Sequence, residues 1–275
     1  MKIGVSSYSY SRHMNATGAD YFAVAELAKK QGFDGIEFLP LTKRPEDATV
    51  LDTAKALRKH CEELGIEICA YTVGADLLNG SEGCTPEEEV ERLKKCADVC
   101  AELGAKVMRH DVVWKLAPGM RCWHDAFELI VPRIREITEY AAEKGVRPAL
   151  ENLRRTNYIA RLFHENRDLP LYYCWDSGHE ICYTPGVDHV ALFPEKLVCT
   201  HIHDNSGVYM MDDHWLPFDG AMDWERKARF IRESGYTGAL TMELARPLAK
   251  YDHLSDEEFI AEAYKRIQKF AEMCK

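Results

Sequence analysis

Four phrases place an ionisable residue directly behind an apolar, β-prone run: Ala149-Leu150-Glu151-Asn152, Cys174-Trp175-Asp176-Ser177-Gly178-His179, Thr200-His201-Ile202-His203-Asp204-Asn205 and Thr241-Met242-Glu243-Leu244. A charge buried at such a position costs on the order of several kcal/mol unless something compensates it. The simplest compensation is one divalent cation held by Glu151, Asp176, His203 and Glu243. Three carboxylates and a neutral imidazole carry −3, and the ion brings the set to −1. Mixed oxygen and nitrogen donors with two open positions suit an octahedral ion, Mn²⁺ first, with Co²⁺, Mg²⁺ or Zn²⁺ as alternatives. The open positions would accept two oxygens of a substrate. His201 and His203 alternate along one strand and so face the same side. One of them is expected to be a packed, hydrogen-bonded neighbour, and that role falls to His201.

Earlier strand ends supply further polar groups. Glu37 is expected to anchor water or the far end of a substrate, and His110 to be a polar group of the same cavity. Tyr8, with Tyr10, Phe38, Tyr71, Trp114 and Trp215, could line the mouth and stack on a substrate, although each alone is more commonly a packing residue. Arg246, three residues beyond Glu243, is a candidate for a substrate phosphate or carboxylate, with a surface ion pair as the competing reading.

One joint recurs in the elements that must hold these residues: a helical stretch ends in Gly and a β-rich run follows. It is seen at Gly32, Gly65, Gly104, Gly145 and Gly235, and the first four are 33, 39 and 41 residues apart. Gly at the helix C′ position enters the left-handed region without a Cβ clash, which gives each stop a physical cause. Thr85-Pro86-Glu87-Glu88 marks a helix start, with an N-cap, a first-turn Pro and acids near the positive dipole end. Strands are expected near 2–7, 35–39, 66–73, 106–112, 147–152, 171–176, 198–204 and 239–244. Helices are expected near 20–31, 50–64, 86–103, 124–144, 222–234 and 255–273. The fifth helix should fall in Arg154–Pro170, where the pattern is weak. Eight strands alternating with helices at roughly 34 residues per unit give an α/β chain forming a single (β/α)8 TIM barrel over residues 1–275. The main alternative, a doubly wound open sheet, lacks its Gly-rich loop after the first strand.

The chain has 275 residues, 35 Lys plus Arg against 45 Asp plus Glu, a net charge of −10 and a 46% hydrophobic fraction. Global disorder is excluded, and nucleic-acid binding starts at an electrostatic disadvantage. No apolar run reaches the roughly 18 residues a membrane span needs, and the N-terminal apolar stretch is too short for a secretory signal. The ten cysteines form no CxxC pair, and several sit inside apolar runs. Free buried thiols in a reducing cytoplasm are expected.

The ordered set Glu151, Asp176-x-x-His179, His203 and Glu243 resembles the xylose-isomerase-like TIM barrels: sugar isomerases and epimerases, inosose and dehydroshikimate dehydratases, and endonuclease IV. The segment His214–Trp224 is similar to that family's His-x-x-Pro-Gly-x-Gly-x-(Ile/Met)-Asp-Trp loop, with Phe218 in place of the first Gly, so the loop backbone is expected to differ there. The resemblance implies that Glu151, Asp176, His203 and Glu243 ligate a single metal, that Glu151 and Glu243 form the acid/base pair, and that His179 contacts a substrate oxygen. Where the family's epimerases carry a further Glu and Arg, this chain has Asn157 and Tyr209. It implies a small-molecule sugar substrate, a ketose or sugar phosphate, processed as an isomerase or epimerase through an enediolate. Loss of a β-hydroxyl, with His179 as proton donor, would make the enzyme a dehydratase instead. An endonuclease would need more histidines on strands 2 to 4. His110, Asp212 and His214 are candidates, but strands 2 and 3 end without histidine. A non-catalytic sugar-binding subunit and assembly into a homo-oligomer are compatible with the same sequence.

Overall fold

The computed structural model describes residues 1–42, 48–81, 83–152, 156–246 and 248–275. The strands are β1 (Ile3–Ser6), β2 (Gly35–Phe38), β3 (Glu67–Val73), β4 (Val107–His110), β5 (Arg147–Glu151), β6 (Tyr172–Asp176), β7 (Leu197–His201) and β8 (Leu240–Met242). They form one eight-stranded sheet in the order β7-β6-β5-β4-β3-β2-β1-β8, with every ladder parallel. The sheet closes on itself at a bridge between Ile202 and Met242, where the Ile202 N–H donates to Thr241 O at 2.8 Å. The fold is therefore a (β/α)8 barrel.

The outer layer is α1 (Tyr21–Lys30), α2 (Ala48–Leu64), α3 (Pro86–Leu103), α4 (Trp123–Glu143), α5 (Thr156–Glu165), α6 (Ser177–Tyr183), α7 (Trp224–Ser234) and α8 (Asp256–Met273). The expected boundaries hold to within a few residues. At the start of α3, Thr85 and Glu88 form a reciprocal capping box with Pro86 at the first helical position. At its end Gly104 has φ 75°, and a Cβ there would press on Arg58 at 3.0 Å. The weakly patterned fifth helix is formed, as α5. Several short pieces carried no clear sequence signal, among them Ser7–Thr17 after β1, a 3-10 turn running into a short helix, and α6 after β6. No helix among the described residues is long and apolar enough to cross a membrane.

Strand alternation sorts the side chains into layers. Ala70, Val107, Ala149, Cys174 and Cys199 pack together as a separate buried cluster within the barrel. One step further along the same strands come Arg109, Glu151, Asp176 and His201, all buried. The strands' C-terminal ends thus open on a polar layer above an apolar floor.

Candidate active site

Glu151, Asp176, His201 and Glu243 each bring a ligand-capable atom to within 4.8 Å of the others. His201 is the imidazole of this group, whereas His203, the ligand expected from the sequence, groups with His214 and Glu243. The register pairs Asp176 directly with His201 across β6 and β7, so the two side chains leave the sheet at one level. His203 lies two residues further on, about 6.6 Å along the strand direction. It approaches Asp176 from the loop side, with Nε2 2.9 Å from Oδ1, and stacks on His214 at a centroid distance of 3.9 Å.

Each carboxylate is fixed by its element. Asp176 caps α6, where its Oδ1 accepts from the His179 N–H at 2.7 Å, and Asn152 clamps its backbone through hydrogen bonds of 2.6 and 2.7 Å. Glu151 is gripped by the Arg109 guanidinium: Nε donates to Oε1 at 3.0 Å, and Nη2 donates to Oε2. Arg109 Nη2 also lies 3.0 Å from Asp111 Oδ1. Glu243 is the loosest member. Its Oε2 is 3.4 Å from His201 Nδ1 and 3.8 Å from His214 Nδ1.

Two imidazole nitrogens point inward without a satisfied hydrogen bond. His201 Nδ1 lies 2.6 Å from Glu151 Oε1, and His179 Nδ1 lies 3.2 Å from Glu151 Oε2, yet neither contact has hydrogen-bond geometry. Convergent carboxylates facing unsatisfied imidazole nitrogens are the donor set a divalent cation requires, so the residues fit such an ion.

The electrostatics are those of a crowded charge cluster. Burial opposes ionisation of Glu151, but Arg109, His179 and His201 outweigh it and hold the carboxyl well below its ordinary range. Glu37 behaves likewise: burial raises it, and His201, whose Nε2 lies 2.9 Å from Glu37 Oε2, brings it below normal. Against the cost of burial, Glu243, Glu37 and Glu151 hold His201 well above imidazole's ordinary value. For His179 the opposing carboxylates are Asp176, Glu151 and Asp212. Burial pushes Asp111 up to about 6, partly countered by Arg109.

The other sequence candidates divide. Glu37 is fully buried beneath the group, bonded to His201. Tyr8 is half-buried with its ring 5.3 Å from that of His214. His179 and His214 share Asp212, at 3.0 and 3.2 Å. His110 does not join them. Alternation turns it away from Arg109 and Asp111; burial lowers it to about 4, its Nδ1 meets Asp111 O at 2.7 Å, and its charged neighbours besides Arg109 are Glu89 and Arg92 of α3. Arg246 is committed elsewhere: Nη1 pairs with Asp256, Nη2 donates to Leu254 O and Nε to Tyr251 O at 3.3 Å, so the ion-pair reading holds and the phosphate role is withdrawn. Tyr10, Phe38 and Tyr71 are buried core residues. Arg154, Arg155 and the Asn157 side chain lie outside the described residues, and Tyr209 is exposed on the loop after β7.

Arg109 and Asp111 were not expected in the site. The available signal was a basic residue inside the apolar run Val107-Met108-Arg109-His110, a position where Arg is rarely buried unless paired. Phe218 takes φ 72°, in the left-handed region that favours Gly, and its N–H donates to Asp204 Oδ2 at 3.1 Å. Asp204 also accepts from Met222 N and Trp224 Nε1, so the loop is tied to the end of β7 despite the missing Gly.

A parallel (β/α)8 barrel whose strand ends 5 to 8 converge three carboxylates and an imidazole defines the class: a TIM barrel with an acid–imidazole site at its C-terminal mouth. The chain belongs to the xylose isomerase-like TIM barrel family, which it matches over residues 25–270. It is 31% identical over 193 residues to the uncharacterized protein y4fM of Sinorhizobium fredii, a match spanning 67% of this chain and 60% of that relative. Over 255 residues it is 23% identical to an inosose isomerase of Bacillus velezensis, covering 86% of this chain and 87% of the relative. The crystal structure of the IolI protein with a bound zinc atom superposes with a TM-score of 0.79 at 21% identity, covering 100% of this chain and 99% of that one.

Proposed function

We propose that the protein is a divalent-metal-dependent isomerase or epimerase of a small sugar or cyclitol, acting by proton transfer at a carbon next to a carbonyl. The observation that carries the reading is the convergence of Glu151, Asp176, His201 and Glu243 at the barrel mouth. Kinship with an inosose isomerase and the fold shared with a zinc-bound protein support it. A cation held by these four residues would supply Lewis-acid stabilisation to the oxyanion that develops as the carbon-bound proton leaves, with Mn²⁺ the ion proposed.

The chain's own groups divide the remaining work. Glu243, held among the described residues by two imidazoles at 3.4 and 3.8 Å, is the carboxylate with freedom to approach a substrate carbon and take its proton. Glu151 is oriented by the Arg109 fork and completes the acid/base pair in an epimerisation. His179, braced by Asp212 at 3.0 Å, donates a hydrogen bond to a substrate oxygen. That brace also favours a second reading, a dehydratase, because a cationic imidazole beside the cluster can protonate a departing hydroxyl.

Incubation with Mn²⁺ and a panel of ketoses and inososes in D₂O tests the proposal. Solvent deuterium in a recovered isomer is the expected result, and stoichiometric loss of water would move the assignment to the dehydratase. Binding without exchange or turnover across the panel would refute both.

A further inference from the structure

Below the mouth the barrel holds a second donor group. Cys174 and Cys199 are direct partners across β6 and β7, both buried, and their sulfurs together with a His201 ring nitrogen lie within 4.8 Å of one another. They belong to the small-residue layer with Ala70, Val107 and Ala149. Cys199 Sγ is also 4.0 Å from Glu37 Oε2. A cavity of about 340 Å³ at the N-terminal end of the strands reaches this layer, lined by Cys69, Cys199, Val107, Arg147, Tyr236 and Thr241. The cavity is on the face opposite the proposed active site and provides a route from solvent that does not pass through the mouth.

We propose that Cys174, Cys199 and His201 form a site for one soft, thiophilic d¹⁰ cation of the copper(I), cadmium or mercury(II) type. Two sulfurs and an imidazole select such ions, whereas the oxygen-rich group above selects harder ones. The ion enters through the lower cavity, and three protons leave by the same route: one from each thiol as its sulfur ligates, and one from His201 Nε2, which otherwise bonds Glu37. The two groups share His201, so they are joined through one side chain while remaining separable by their other donors. Loss of a thiol affects the lower site alone.

Cadmium titration of the full chain, with Mn²⁺ present and a phosphine as reductant, tests the site. One equivalent of Cd²⁺ should bind with an ultraviolet sulfur-to-cadmium charge-transfer band. Outer-shell metal partners alone are worth 10–100-fold in affinity, so Cys174→Ser and Cys199→Ser should each weaken binding by at least about 10-fold and remove the band. Cys96→Ser, a buried thiol on α3, should leave it intact. In the wild-type chain, which needs no variant to fold, Cd²⁺ should slow alkylation of Cys199 but not of the exposed Cys122. A band that survives both Ser variants, Cd²⁺ binding without a band, or unprotected Cys199 would overturn the proposal. Mn²⁺ binding by the Ser variants reads the upper site independently.

Discussion

Replacing Arg109 by Met removes the one permanent cation bonded to Glu151 among the described residues. Arg109 is buried, its guanidinium holds both Glu151 oxygens, and it also lies 3.0 Å from Asp111. Met keeps the apolar stem but leaves two buried carboxyls short of a partner. Breaking a buried pair from one side costs roughly 3–5 kcal/mol, because the remaining charge stays desolvated. In a chain of this size each kcal/mol moves Tm by about 2–4 °C, so the metal-free variant should melt roughly 6–20 °C below wild type. A divalent cation placed among Glu151, Asp176, His201 and Glu243 would restore part of the missing positive charge. Manganese at about 100 times its Kd returns about 2.7 kcal/mol through binding to the folded state alone. The assay is a thermal and urea melt of wild type and variant, each with chelator and with saturating Mn²⁺. The expected pattern is a large deficit in chelator that narrows with metal. A deficit under about 1 kcal/mol in chelator would refute the claim that Arg109 neutralises a buried Glu151.

Other consequences follow from the same geometry. Glu243→Gln should fold normally and lose deuterium exchange by at least about 100-fold, the usual scale for a general base, as read by NMR of the substrate proton. In chelator-treated protein, Asp212 holds His214 above its ordinary value, at about 9, against the cost of burial. The shift stabilises the fold fully below about pH 6.5 and the contribution is lost as pH rises through 9, on the order of 3 kcal/mol, so Tm should fall on the alkaline side. Gly178→Ala would drive a methyl group into the His203 ring and to 2.8 Å from Asn205 Nδ2. Overpacking of about 1–3 kcal/mol should exceed the helix-propensity gain of about 1 kcal/mol, giving a net loss in urea melts.

Much of this architecture was legible in the sequence because its signals are local. Glycine stops such as Gly104 and Gly235, and the Thr85 N-cap, follow from backbone sterics and orphan N–H groups, which any fold must satisfy. The carboxylates Glu151, Asp176 and Glu243 stood out because a charge behind an apolar run needs a partner. The histidine assignment was less accessible. His201 and His203 have the same facing, and only the cross-strand pairing of Asp176 with His201 sets their heights. The same limit explains β4, where an uncertainty of one residue exchanges Arg109 for His110 at the barrel interior. Arg246 was misplaced for a different reason: its partners Tyr251, Leu254 and Asp256 come from a later stretch ending at the start of α8, whose path no local pattern encodes. Phe218 shows that a Gly-like φ can persist without Gly when hydrogen bonds to one buried carboxylate, Asp204, hold the loop.

The central claim is tested most directly by diffraction at the manganese absorption edge from crystals grown with Mn²⁺. One anomalous peak ligated by Glu151, Asp176, His201 and Glu243 is the predicted result. A peak ligated by His203 in place of His201, or no peak among the four side chains, would contradict it.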